Sequence, residues 1–226
     1  MHRANWDLRL PAPNPINLST PAFKPPWAGN AKGPLAAPGN YTVELFIEHN
    51  GDLQSQGEAQ SFAVKPVSTS APNTDFQAVA NFQKKTSDLM REISSASGKL
   101  SEINEQFRYI NAALKQTPKA NAQHFAQYKQ LKEKLADLRL RLSGDPIRRK
   151  LSESTVPSIS SRVGQIVYGH WDTRQMPTQT FQDNLTIATN AFTQFKQDLK
   201  TYLQEVKGYE TALEAAGAPY TRGRGF

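Results

Sequence analysis

Apolar side chains recur at alternating steps of three and four residues over most of this chain. From Val79 to Leu114, positions 79, 82, 86, 89, 93, 96, 100, 103, 107, 110 and 114 hold Val, Phe, Thr, Leu, Ile, Ala, Leu, Ile, Phe, Ile and Leu. That spacing predicts one long bundle helix near 74–116, with Thr74 and Gln77 as a capping box and Thr117-Pro118 as its stop. The same register runs through Tyr128, Leu131, Leu135, Leu138 and Leu142 to Gly144, predicting a helix near 121–143. It returns in Phe181, Leu185, Ala188, Phe192, Phe195, Leu199, Tyr202, Val206, Tyr209, Leu213 and Ala216, and ends at Gly217-Ala218-Pro219. A shorter helix near 156–169 carries Ile159, Val163, Ile166 and Val167, begun by Pro157 and stopped by Gly169. At 1.5 Å per residue the four helices measure roughly 64, 35, 21 and 58 Å, so the two short ones together match one long one. Two arrangements follow: an antiparallel bundle of two long helices flanking a column broken at 143–155, or a compact four-helix bundle.

Before residue 67 the period changes to two. Tyr41 to His49 is rich in β-branched and aromatic residues and lies between the turn signals Pro38-Gly39-Asn40 and Asn50-Gly51-Asp52, which predicts a strand entering a hairpin. Glu58 to Lys65 supplies the returning partner, and Asn5 to Leu10, with Trp6, Leu8 and Leu10 alternating, a third strand. Pro11 to Leu35 cannot be helical and reads as an extended loop anchored by Phe23 and Trp27. Three strands cannot cover their own apolar face. Trp6, Tyr41, Leu45, Ile47, Phe62 and Val64 should therefore form a partner-docking face.

Composition sharpens this division. The 226 residues are 38% hydrophobic and 21% charged, with a mean hydropathy of -0.61, enough apolar mass for one modest core. Residues 1–66 are electrically balanced and hold most of the prolines, so the net charge of +7 falls entirely after them. We therefore divide the chain into a β region (1–66), a linker (67–73), a helical bundle (74–217) and a flexible tail (218–226). The fold class expected is α+β. The absence of cysteine excludes disulfides, thiolate metal sites and cysteine nucleophiles. No run is long and apolar enough to span a membrane, and the opening residues lack the apolar core of a signal peptide.

Candidate chemistry is sparse. Glu102 and Glu105 lie outside the apolar register and read as a solvated face. His2, His49, His124 and His170 show no HxxxH spacing, and no GxSxG, P-loop or GxGxxG occurs. No catalytic group, cofactor or metal site is expected. The basic run from Lys129 to Lys150 carries +5 within 22 residues and makes Arg148, Arg149 and Lys150 candidates for anion binding. No aromatic residue interleaves with Lys129 to Lys150, so nucleic acid is not the expected partner. The closing Arg222-Gly223-Arg224-Gly225-Phe226 is too short an Arg-Gly tract to carry an RNA argument.

Particular strings resemble a known family. Asn5-Trp6-Asp7-Leu8-Arg9, Gly33-Pro34-Leu35, Pro38-Gly39-Asn40-Tyr41-Thr42-Val43 and Phe62-Ala63-Val64-Lys65-Pro66 are similar to the C-terminal region of bacterial BNR/Asp-box β-propeller proteins, the sortilin-like or sialidase-like glycosyl hydrolases. Pro157-Ser158-Ile159, Arg162-Val163, Trp171, Pro177-Thr178 and Leu213 to Pro219 resemble the same family's helical end. The Trp-Asp-x-Arg and Pro-Gly-x-Tyr pieces also resemble the second half of the Ig-like domain of the flagellar hook-capping protein. The resemblance implies an incomplete Ig-like sandwich, with its other strands and a propeller upstream in a longer secreted or periplasmic polypeptide, Met1 being internal to it. It implies a non-catalytic accessory module, partnered by those upstream parts or by another protein chain. No Asp-box and no repeated blades occur in this sequence, so the family's sugar chemistry has no residues here on which to act.

Overall fold

The computed structural model describes residues 3, 5–18, 23, 25–27, 29, 31–67 and 74–221. His2, most of the linker and the Arg-Gly tract Arg222 to Phe226 lie outside them. The fold is α+β. Four strands, β1 (Gly39–Val43), β2 (Phe46–His49), β3 (Asp52–Ser55) and β4 (Gln60–Val64), precede five helices, α1 (Phe76–Gln116), α2 (Ala122–Ser143), α3 (Pro146–Lys150), α4 (Ile159–His170) and α5 (Gln179–Ala215).

The helices begin and end where their backbone groups can be satisfied. Asp75, rather than the expected Thr74, caps α1: its carboxylate accepts from the N–H groups of Gln77 and Ala78 at 3.0 and 2.9 Å. Asn121 and His124 form a capping box on α2, and Gly144, at φ 79°, ends it. Ser158 caps α4, so that helix starts two residues beyond Pro157 and runs through Gly169 to His170. Gly217 takes φ 85° after α5, where the N–H groups of Gly217 and Ala218 donate to Glu214 and Leu213, a Schellman closure. Beyond it, Ala218 packs on the core and Thr221 is buried.

Three columns result. α1 and α5 run parallel at a constant offset, as Glu92 to Lys196 and Gln106 to Glu210 contacts show. α2 and α4 follow one another along the groove between them, antiparallel to both, each packing on α1 and α5. The α2–α5 seam repeats by the heptad: Tyr202 and Tyr209 donate to the carbonyls of Leu131 and His124, and Asp198 and Glu205 meet Arg141 and Lys134, each pair at 2.7 Å. The core cluster draws all its members from α1, α2, α4 and α5. Its register matches the sequence period except at the starts of the two long helices: in α1 Gln83 is buried and Phe82 half-exposed, and in α5 Asn184 is buried while Phe181 and Leu185 are half-exposed.

The β region departs further from expectation. The strand expected over Tyr41–His49 breaks at Glu44-Leu45, so β1 pairs with β4 and β2 with β3 as two separate two-stranded antiparallel sheets. The β2–β3 turn is Asn50-Gly51 with φ 52° and 90°, the pair of positive values that a two-residue hairpin demands. Asn5 to Leu10 is not a strand. Leu8 sits at φ 60°, which ends any pleat, and only the Arg9–Leu35 bridge joins this segment to Pro34–Ala36. Gly33 is needed there because a Cβ would lie 2.0 Å from the Leu10 carbonyl oxygen.

The expected anchors Phe23 and Trp27 are 73% and 85% exposed. The anchoring comes instead from the α4–α5 connection. A proline-rich segment presents carbonyls with few N–H groups of its own, and the bundle supplies the missing donors. Trp171, buried, donates its indole N–H to the Lys32 carbonyl at 2.9 Å, and Arg174 donates to the Leu35 and Ala36 carbonyls at 3.3 and 2.9 Å. Arg9 adds an ion pair to Asp172 and a bond to the Gly33 carbonyl. Burial, then the nearby Arg9, lowers the Arg174 pKa.

Candidate functional site: the hairpin face and the basic segment

Trp6, Tyr41 and Phe62 form one aromatic cluster, with ring centroids 5.3 to 6.1 Å apart. Tyr41 and Phe62 are cross-strand partners, which places their rings on one face of the β1–β4 pair. Trp6 is positioned by its indole N–H, which donates to the Arg9 carbonyl at 2.8 Å, and Tyr41 by its hydroxyl, which donates to the Ala37 carbonyl. Leu45 does not join them. It lies in the break between β1 and β2, where its carbonyl accepts from Gln56, and its side chain is 67% exposed. The break also ends the expected alternation: Phe46 and Leu53 share one face of the β2–β3 hairpin, and Ile47 takes the other. Every residue of β2 and β3 is exposed. Among the described residues neither sheet has a third strand, so both pairs keep open edges.

The basic segment is divided by its own geometry. Asp145 caps α3 by accepting from Ile147 and Arg148, with Pro146 in the first turn, and this single-turn helix carries Arg148, Arg149 and Lys150 in its last turn. Arg148 turns toward a cavity facing α5 and Arg149 toward a different one facing α1 and α2. The three candidates therefore do not make one site. Sequence reasoning offered no warning, because a five-residue helix has no period to detect. Elsewhere along the run several charges are engaged by neighbours: Lys134 with Glu205, Arg141 with Asp198, and Lys132 with Asn104 while it stands over the Phe107 ring. Arg141 and then Gln194 hold the Asp198 carboxyl below its ordinary range by hydrogen bonding.

One buried polar cluster went unseen in the sequence. His170, on α4, lies between Phe82 and Phe181. Its Nε2 is 2.9 Å from the Gln175 carbonyl, which fixes Nε2 as the donor and leaves Nδ1 to accept from Gln83 at 3.4 Å. The Gln83 amide also donates to the His170 and Thr173 carbonyls. Burial lowers the His170 pKa, so the ring is neutral in the fold. The cluster organises the α4–α5 connection that carries Trp171 and Arg174. It is a joint: among the described residues the hydrogen-bond partners of the His170 ring are the Gln83 amide and the Gln175 carbonyl, and neither titrates. Glu102 and Glu105 pair with Lys99 and Arg108 on the exposed surface. Among the described residues no three His, Asp or Glu side chains gather as a metal site, and no helix is long and apolar enough to cross a membrane.

Compared with known proteins, the chain matches no family model, no curated protein and no solved structure.

Proposed function

We propose that this chain is a non-catalytic interaction module: a self-sufficient helical bundle that holds a β-hairpin out for docking on further β-structure. The observation that carries this reading is the hairpin itself. Val43, Leu45, Phe46, Ile47 and Leu53 are 47% to 69% exposed on a segment in which no residue is buried. A two-stranded ribbon is marginal alone in water, and apolar residues concentrated on it are best supported as a surface that another sheet covers. Two features fit the same reading. The donors Trp171 and Arg174 tie the root of the β region to the bundle, and the open edges of both strand pairs supply unpaired backbone groups for an added strand.

The resemblance supplies the identity we propose for the covering structure: the remaining strands of an Ig-like sandwich in a periplasmic or extracellular protein of the Asp-box propeller type, with this chain as its C-terminal accessory part. Amide exchange over Gly39–Val64, measured on the chain alone and with an Ig-like/propeller polypeptide of that type from the same source, tests it. Protection of the hairpin on mixing, lost when Ile47 and Leu53 are both replaced by lysine, supports the reading. Unchanged exchange and no association contradict it.

A further inference from the structure

Where α2 gives way to α4, the third column leaves a gap on its α5 side, a cavity of about 750 Å³. The gap exists because Gly144 turns the chain out of the column and Ser158 returns it, with α3 and an extended stretch looping outside. Its apolar lining comes from Leu140, Val156, Pro157, Ile159, Ile187 and Ala191. Leu140 and Ile187 stay 48% and 46% exposed there, although the columns pack closely on either side.

Three guanidinium groups share the rim, and their partners differ. Arg141 is held by Asp198 at 2.7 Å and Asp137 at 3.7 Å. Arg148 stands 3.9 Å from Asp145 and 3.7 Å from Glu153. Arg162, half-buried, makes no ion pair among the described residues; it donates to the neutral Asn184 carbonyl oxygen at 2.8 Å. Asn184 is itself buried and turned toward Arg162, because its amide group donates to Gln165 at 3.3 Å. One arm of the Arg162 fork is thereby fixed and the other donors are left for a ligand. Ser158 brings the positive end of the α4 dipole to the same wall.

A half-buried cation without a counter-charge is costly, and an anion at that place removes the cost. The apolar lining beside it favours an apolar body. We propose that the column break binds an amphipathic carboxylate, an apolar group carrying one negative charge, with the carboxylate on Arg162 and the body on Leu140 and Ile187. A polyphosphate does not fit, since Arg141 and Arg148 already face carboxylates and one cation remains.

Titration calorimetry of the full chain with 1-naphthylacetate, against its neutral amide of nearly the same shape, tests the site. The acid should bind at least 10-fold more tightly than the amide. Arg162→Gln should erase that preference, Ile187→Glu should abolish binding, and Arg149→Gln, on the opposite side of α3, should change nothing. Equal binding of acid and amide, no binding of the acid at millimolar concentration, or an unaltered preference in Arg162→Gln overturns the proposal. Should Arg162→Gln lose helicity because Asn184 is freed, Ile187→Glu decides alone. That change leaves the Arg162–Asn184 bond in place, and binding that survives it overturns the site.

Discussion

The three helical columns and the β-hairpin answer the same question, where to put apolar side chains, in opposite ways. Each column buries its stripe against the other two, so that Phe107, Phe195 and Leu213 are 0% exposed. The hairpin places Leu53 at 69% and Leu45 at 67% exposure with nothing folded over them. Heptad helices can bury one another within a single chain, whereas a two-stranded ribbon needs a second layer. Stability therefore belongs to the columns and an unfilled demand for contact belongs to the ribbon.

The largest effect expected on this comparison comes from the core. Phe195→Ala should cost about 3–5 kcal/mol in urea denaturation followed by circular dichroism, because the cavity left between tightly packed columns cannot collapse. A loss below about 1 kcal/mol would show that the seam is looser than its burial implies.

Next comes the joint between the regions. Arg174→Met removes two part-buried hydrogen bonds from a charged donor to backbone carbonyls, worth about 1.5–3 kcal/mol in local docking. Limited proteolysis should then cut within Lys32–Val67 much faster, while the helical signal stays unchanged. Equal loss of helicity would mean that the two regions unfold as one.

Acid acts on the same joint. The His170 pKa lies below the ordinary value of about 6.5, so the neutral ring stabilises the fold above that pH. This contribution is lost as pH falls below the ordinary value toward the depressed one of the folded state. Protonation also sets an Nδ1–H against the Gln83 amide, which already donates there. The urea midpoint should fall on acidification through this window, and His170→Gln should flatten that dependence even if it lowers the midpoint overall.

The smallest effect expected is Leu53→Gln, within about 0.5 kcal/mol in the chain alone, since it removes little buried area. The same change should weaken docking on a partner sheet far more than it alters stability.

Much of the helical half was legible because its signal repeats. Every third or fourth position from Val79 to Leu114 and from Phe181 to Ala216 votes for one period, and Gly144 and Gly217 mark ends by their conformation. Where a feature does not repeat, the sequence was silent. α3 spans five residues, and its arginines diverge for reasons of one helical turn. In Trp6, Leu8 and Leu10 the alternation is present, but the positive φ of Leu8 cancels the strand it suggests. Trp171 and Arg174 reach partners 138 or 139 residues away in sequence, and no local pattern announces such a pairing. Tyr41 and Phe62 were readable as a shared face because the two-residue period sets each ring on the apolar side of its strand, while Leu45 was misplaced by a break that leaves no mark in composition.

Native-state hydrogen exchange of the full chain, resolved by residue, tests the central claim most directly. Amides of α1 and α5 around Phe107 and Phe195 should exchange only through global unfolding, and those of Phe46–Ser55 should exchange with little protection, separated from the core by most of the global stability. Hairpin amides protected as strongly as those of the columns would contradict the account, for they would show the ribbon to be complete without a partner.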